Sequence, residues 1–130
     1  MVSEVITITQ EQSLRDALEI FQRNHILQLP VLEGGDLVGI LSDRDVKRAT
    51  PSPIAGAGME DYDKMVDSVK VAQLMTRNPY CVTPSTLLRD AVKALHDRKH
   101  GAIPVVEGNR LVGLITATDM LLYLHTLLPE

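Results

Sequence analysis

The chain reads nearly the same passage twice. Gly39-Ile40-Leu41-Ser42-Asp43-Arg44-Asp45 returns 74 positions later as Gly113-Leu114-Ile115-Thr116-Ala117-Thr118-Asp119. Upstream, Thr9, Leu14, Arg15, Asp16 and Ala17 recur at the same offset as Thr83, Leu88, Arg89, Asp90 and Ala91. Pro30, Val31, Glu33 and Gly34 likewise recur as Pro104, Val105, Glu107 and Gly108. An ungapped match of that length marks a tandem duplication. A unit of about 45 residues buries too little surface to be stable alone, so the two copies are expected to pack on each other.

Each copy carries the same order of elements. Val5 to Ile8 is a short β-branched run that reads as a strand, and Ser13 opens a helix with Leu14, Ala17, Leu18 and Phe21 on one face. Gln28 to Leu32 and Leu37 to Leu41 are strands joined by a turn through Gly34 and Gly35, and a second helix begins near Asp45. In the second copy the strand at Cys81-Val82 precedes a helix with Leu88, Ala91, Val92 and Leu95. A hairpin follows around Gly108-Asn109, then a last helix from Thr118 or Asp119 to Leu128. The expected fold class is α/β (α+β): two β-α-β-β-α repeats packed with pseudo-two-fold symmetry. Between them, Thr50 to Ser68 contains Pro51, Pro53, Gly56 and Gly58 and reads as a flexible connection, with a short polar helix over 60–69 and another over Val71 to Met75.

Composition removes several functions. A net charge of −4, no Trp, one Phe and three Tyr supply neither a basic surface nor a stacking platform, which argues against nucleic acid as a partner. The single Cys81 excludes an intrachain disulfide and a cysteine-based metal site; its apolar neighbours favour a buried structural thiol over a reactive one. His25, His96, His100 and His125 show no ligand-spaced pairing with carboxylates, so no metal site is expected. No nucleophile–base order and no Walker-type loop is present, so no catalytic residue is expected. The longest apolar stretch, Met120 to Leu128, is too short to span a bilayer, and no signal-peptide pattern opens the chain. The expectation is a cytoplasmic protein without a membrane partner.

The repeated Gly-x-x-[Ser/Thr]-x-x-Asp has a chemistry of its own. The hydroxyl emerges where a strand meets the next helix, and the aspartate lies beside that helix's unpaired N–H groups. Hydroxyl and N–H groups suit a phosphate; a carboxylate can accept two hydrogen bonds from a ribose diol. The plainer alternative makes Asp45 and Asp119 N-caps and leaves Ser42 and Thr116 as strand ends. Arg44, opposite Thr118 in the repeat, adds a guanidinium suited to phosphate, or else pairs with Asp43 or Asp45 on the surface.

These passages resemble the cystathionine β-synthase (CBS) domain, and the tandem pair resembles a Bateman module. The marks are Leu29-Pro30-Val31 with Leu37 to Asp45, Ile103-Pro104-Val105-Val106 with Leu111 to Asp119, and the lead segment Val71-Ala72-Gln73-Leu74-Met75-Thr76. Ser42 to Asp45 followed by Pro51-Ser52-Pro53 is also similar, more weakly, to stand-alone acetoin-utilisation-type pairs. The resemblance divides the chain into repeat 1 (residues 1–49), whose lead segment is short or missing as in a trimmed domain, a connection (50–69) and repeat 2 (70–130).

The resemblance implies a regulatory module that needs no cofactor and binds an adenosyl ligand (AMP, ADP, ATP or S-adenosylmethionine) in clefts between the repeats. One cleft would combine Thr116, Thr118 and Asp119 with Ile26, Leu27 and Gln28. The other would combine Ser42, Arg44 and Asp45 with His100, Gly101 and Ala102. Thr86 with Ala91, or Gln12 with Ala17, would line the adjoining helix start. A homodimer and an effector protein are the implied partners. The competing expectation is a structural homodimerisation or docking module with empty clefts, since the last helix carries Met120, Leu121, Leu122, Leu124, Leu127 and Leu128.

Overall fold

The computed structural model describes residues 5–50, 59–98 and 101–129. It is a mixed α/β protein in which the described residues fall into two compact units. The first holds residues 6–34 and 38–78; the second holds 79–129 with residues 5 and 35–37.

In the first unit, β1 (Ile8–Thr9) leads to α1 (Leu14–Asn24), β2 (Gln28–Glu33), β3 (Asp36–Ser42, from residue 38 on in this unit) and α2 (Asp43–Ala49). Helix α1 starts at Ser13 because Ser13 and Asp16 satisfy each other's backbone N–H groups. It ends at His25, which takes a left-handed conformation and donates its N–H to the Phe21 carbonyl. Leu14, Ala17 and Phe21 are its buried face. Strand β2 neighbours β1, parallel with Ile8 opposite Val31, and β3. Leu29, Pro30 and Val31 are buried in succession, so this strand is covered on both faces.

The segment after the connection departs from the sequence expectation. Residues 51–58, where proline and glycine predict a flexible tether, lie outside the described residues. From Met59 the chain is no tether. Helices α3 (Met59–Ser68) and α4 (Val71–Leu74) and strand β4 (Thr76–Arg77) all pack within the first unit. Val66, Val71 and Met75 join Ile8, Leu14, Leu29, Val31, Leu41 and Val46 in one core. Backbone bonds knit the same stretch down: Leu14 N–H to Val69 O and Val71 N–H to Gln12 O, both 2.8 Å. Outside, the Arg15 guanidinium spans Asp63 and Asp67, one turn apart on α3, and both carboxylates hold Arg15 above its ordinary range. A polar helix looks solvated in the sequence because just two of its described side chains, buried Val66 and half-buried Tyr62, carry its contribution to the core.

In the second unit, α5 (Leu88–Arg98) is followed by the hairpin β5 (Ala102–Glu107) and β6 (Arg110–Thr116), then α6 (Ala117–Leu127). The hairpin pairs Ile103 with Ile115 and shifts register between Val105 and Val106. The strand expected at Cys81-Val82 is reduced to one parallel bridge, Val82 to Val105. Val82, Ala91, Leu95, Ile103, Val105 and Ile115 form this unit's core.

Cys81 is half-buried, its Sγ 3.2 Å from the Pro79 carbonyl, and burial pushes its thiol up. A thiol raised in the folded state leaves stability intact below the unfolded value of about 8.5–9 and erodes it as pH rises through the folded value. Native protein at pH 8 should therefore react with a thiol reagent more slowly than urea-unfolded protein. Equal rates would contradict the burial.

Candidate functional site

Both copies of the glycine-to-aspartate motif end a strand and start a helix, as the sequence predicts, but the capping roles are exchanged. Ser42 and Thr116 are the N-caps of α2 and α6, and the aspartates sit at the third helical position. The Ser42 hydroxyl accepts from Asp45 N–H at 3.0 Å, and the Thr116 hydroxyl accepts from Asp119 N–H at 3.0 Å. A hydroxyl at the strand end reaches the third N–H without strain, which displaces the aspartate from the cap. The spacing Ser-x-x-Asp was the available signal, since it matches the reciprocal box formed by Ser/Thr and an acidic side chain three residues on.

The two starts then differ. At α2 the box closes: Asp45 Oδ2 accepts from Ser42 N–H at 3.2 Å, as Asp16 Oδ2 does from Ser13 N–H at 3.1 Å. At α6 only the hydroxyl half forms. Asp119 Oδ2 is buried and receives no hydrogen bond from any described residue. Burying a carboxylate oxygen without a donor carries a desolvation cost of about 1–3 kcal/mol or more. Among the described residues, Asp119 Oδ2 is the one buried side-chain polar atom without a hydrogen-bond partner.

Around the α2 start, Lys47 pairs with Asp43 at 2.9 Å, while Arg44 is exposed and makes no ion pair with Asp43, Asp45 or any other described residue. The Leu27 carbonyl accepts from Asp43 N–H at 2.9 Å, so Ile26-Leu27-Gln28 lies beside the α2 start of its own repeat. Leu27 is exposed, while Ile26 and Gln28 are half-buried. The second repeat copies this contact: Ala117 N–H donates to Gly101 O at 3.0 Å, which places Gly101 beside the start of α6. Gly101 has φ +74°, Ala102 is buried, and Thr118 is exposed next to Asp119. His100 lies outside the described residues.

The helix-start residues are otherwise engaged. Thr86 Oγ1 accepts from Thr83 N–H, and Gln12 Oε1 accepts from Thr9 N–H, the same local bond in each repeat. Ala17 and Ala91 are buried in the two cores. No cluster of His, Cys, Asp and Glu able to hold a metal occurs among the described residues, and no described helix is long and apolar enough to cross a membrane.

Gly39 has a separate reason to be glycine. A Cβ there would meet Met75 Sδ at 2.6 Å and the Thr76 carbonyl at 2.8 Å, because β4 pairs against it. The motif's glycine admits this close strand, three residues before the cap.

A duplicated α/β module with a hydroxyl-capped helix start in each copy is the class that fold and site define. The chain belongs to the CBS domain family, which matches residues 1–52 and 71–126. It is 32% identical to a CBS domain-containing protein of Dictyostelium discoideum, over 93% of this chain and 85% of that protein. It is also 32% identical to the inosine-5'-monophosphate dehydrogenase of Korarchaeum cryptofilum, but there it spans only 22% of the enzyme. Among solved structures, CBSX2 of Arabidopsis thaliana in complex with AMP is 27% identical with a TM-score of 0.77, over 95% of this chain and 89% of that one. A Vibrio cholerae protein assigned to acetoin utilization shares the fold at 23% identity and TM-score 0.80, covering 98% and 87% of the respective chains.

Proposed function

We propose that this chain is a regulatory module that senses an adenosine nucleotide or related adenosyl ligand, held in clefts between its repeats, and that it performs no catalysis. Asp119 Oδ2 carries the reading: a buried carboxylate oxygen without a donor, at a helix start, in a family one of whose members is seen with AMP. A ribose diol is a pair of donors of the right kind for it. In one cleft Thr116, Thr118 and Asp119 act with Ile26, Leu27 and Gln28. In the other Ser42, Arg44 and Asp45 act with His100, Gly101 and Ala102, and Thr86 lies at the adjoining helix start. Arg44 there meets phosphate. The ligand favours one arrangement of the module, and an effector protein in the cytoplasm reads that preference as a change in affinity.

Calorimetric titration with AMP, ADP, ATP and S-adenosylmethionine tests this. At least one should bind saturably, and Asp119→Asn should weaken that binding by about tenfold or more, since hydrogen bonds to charged groups contribute about 1.5–3 kcal/mol. If none of the four binds, the sensing reading fails.

A second reading, a homodimerising or docking module with empty clefts, rests on α6. Leu121, Leu122, Tyr123, Leu124, Leu127 and Leu128 are all about half exposed or more, and α6 buries no residue fully. Such a row of apolar side chains calls for a cover. A dimer in sedimentation combined with no ligand binding would establish this reading over the first.

A further inference from the structure

Helices α1 and α5 are the same element of the two repeats, yet the outer face of one is covered and that of the other is exposed. We propose that this face of α5 is a docking surface for an acidic amphipathic helix of a partner protein. It is where the effector of the regulatory module would sit, and that role alone rests on the reading above; docking itself requires no adenosyl ligand.

Helix α1 shows what such a face takes. Leu14 is fully buried there and shares a core with Val66 of α3. Arg15 spans Asp63 and Asp67, which flank Val66 in sequence. Past the end of α3, Val69 O accepts from Leu14 N–H and Val71 N–H donates to Gln12 O. One apolar side chain between two carboxylates, on a helix that runs into a short extended stretch, covers α1.

Moved 74 positions along, the same face is open. Leu88, the counterpart of Leu14, is 46% exposed, and Val92, the counterpart of Leu18, is 44% exposed. Leu87 replaces the capping Ser13 and is 63% exposed. An apolar row at the start of a helix calls for a cover. Arg89, the counterpart of Arg15, is exposed and makes no ion pair or hydrogen bond among the described residues.

Charge selects the occupant. Glu19 of α1 becomes Lys93 in α5, so a face of mixed charge turns basic. Lys93 already holds Asp97 at 2.9 Å, which leaves Arg89 as the open cation. A second copy of the chain has no matching helix to offer, because its α3 keeps Val66 in its own core and both carboxylates on its own Arg15. Residues 51–58 contain no carboxylate. The occupant that fits is a helix of another protein, with carboxylates four residues apart beside an apolar side chain. Covering Leu87, Leu88 and Val92 supplies the attraction. The Arg89 pairing, screened at the surface, sets orientation and rejects basic helices.

The probe is a capped synthetic peptide of residues 59–71, titrated into the full chain and followed in 1H–15N spectra without nucleotide. The amides of residues 87–93 should shift saturably, and Arg89→Glu should weaken binding by about threefold or more. A peptide carrying Asp63→Lys and Asp67→Lys should fail on the wild-type chain and bind the Arg89→Glu chain. Thermal melts of that variant separate lost docking from lost fold. No saturable shift, or equal binding of both peptides to the wild-type chain, overturns the docking surface and leaves adenosyl sensing untouched. Shifts at residues 14–18 alone overturn it too, since the peptide would then only replace α3 on α1. Sedimentation of the chain by itself supplies the last outcome: a dimer that Leu87→Asp dissociates gives the face to a second copy and overturns the partner helix.

Discussion

Leu29→Ala should destabilise the first unit by about 2–5 kcal/mol, read as a lower urea midpoint at unchanged slope. Leu29 is wholly buried in β2, in the same core as Leu14, Val31 and Leu41. Its truncation removes apolar contact and leaves a cavity that a strand covered on both faces cannot collapse to fill. Against a total stability of about 5–15 kcal/mol that loss is a large share. Leu121→Ala, on the 68% exposed side chain of α6, is the matched control and should shift stability by no more than about 0.5 kcal/mol in the isolated chain. If the two substitutions cost the same, the core is misplaced.

Gly39→Val comes second, and its mechanism is the reverse. The added Cβ alone falls within 3.0 Å of both Met75 Sδ and the Thr76 carbonyl. The thioether can turn away; the carbonyl cannot without giving up the β3–β4 pairing at Ile40 and Thr76. Overpacking of this kind costs about 1–3 kcal/mol. Met75→Ala removes a core side chain and is destabilising by itself, so relief shows as coupling: Gly39→Val should cost less in the Met75→Ala background than in the wild type, but still cost something, because the carbonyl obstacle remains. No cost of Gly39→Val in the Met75→Ala background would show that the side chain was the whole obstacle. Since Gly39 lies three residues from Ser42, a forced strand would also disturb the α2 start.

Much of this was legible in the linear order of residues. The duplication, the hairpins at Gly34-Gly35 and Gly108-Asn109, and the amphipathic faces of α1 and α5 follow from spacing and turn chemistry, which act over a few residues. So did the two helix starts and the family they belong to. Their internal wiring was harder to read. Ser42 and Asp45 exchange roles because a hydroxyl and a carboxylate both satisfy backbone N–H groups, and only backbone geometry decides which one caps.

Linear order settles that there are two copies, most of the elements in each and which hydroxyl–aspartate pairs stand at their helix starts. Tertiary structure alone decided three things. It folded α3 and α4 onto the first unit through Val66, Val71 and Met75, which the polar surroundings of Val66 concealed. It gave Gly39 its reason, since Met75 and Thr76 arrive from a distant part of the chain. And it closed the box at Asp45 while giving Asp119 Oδ2 no donor among the described residues, so that near-identical motifs became unequal acceptors. Local propensity is a property of neighbours in sequence; burial and hydrogen-bond satisfaction depend on which distant groups arrive.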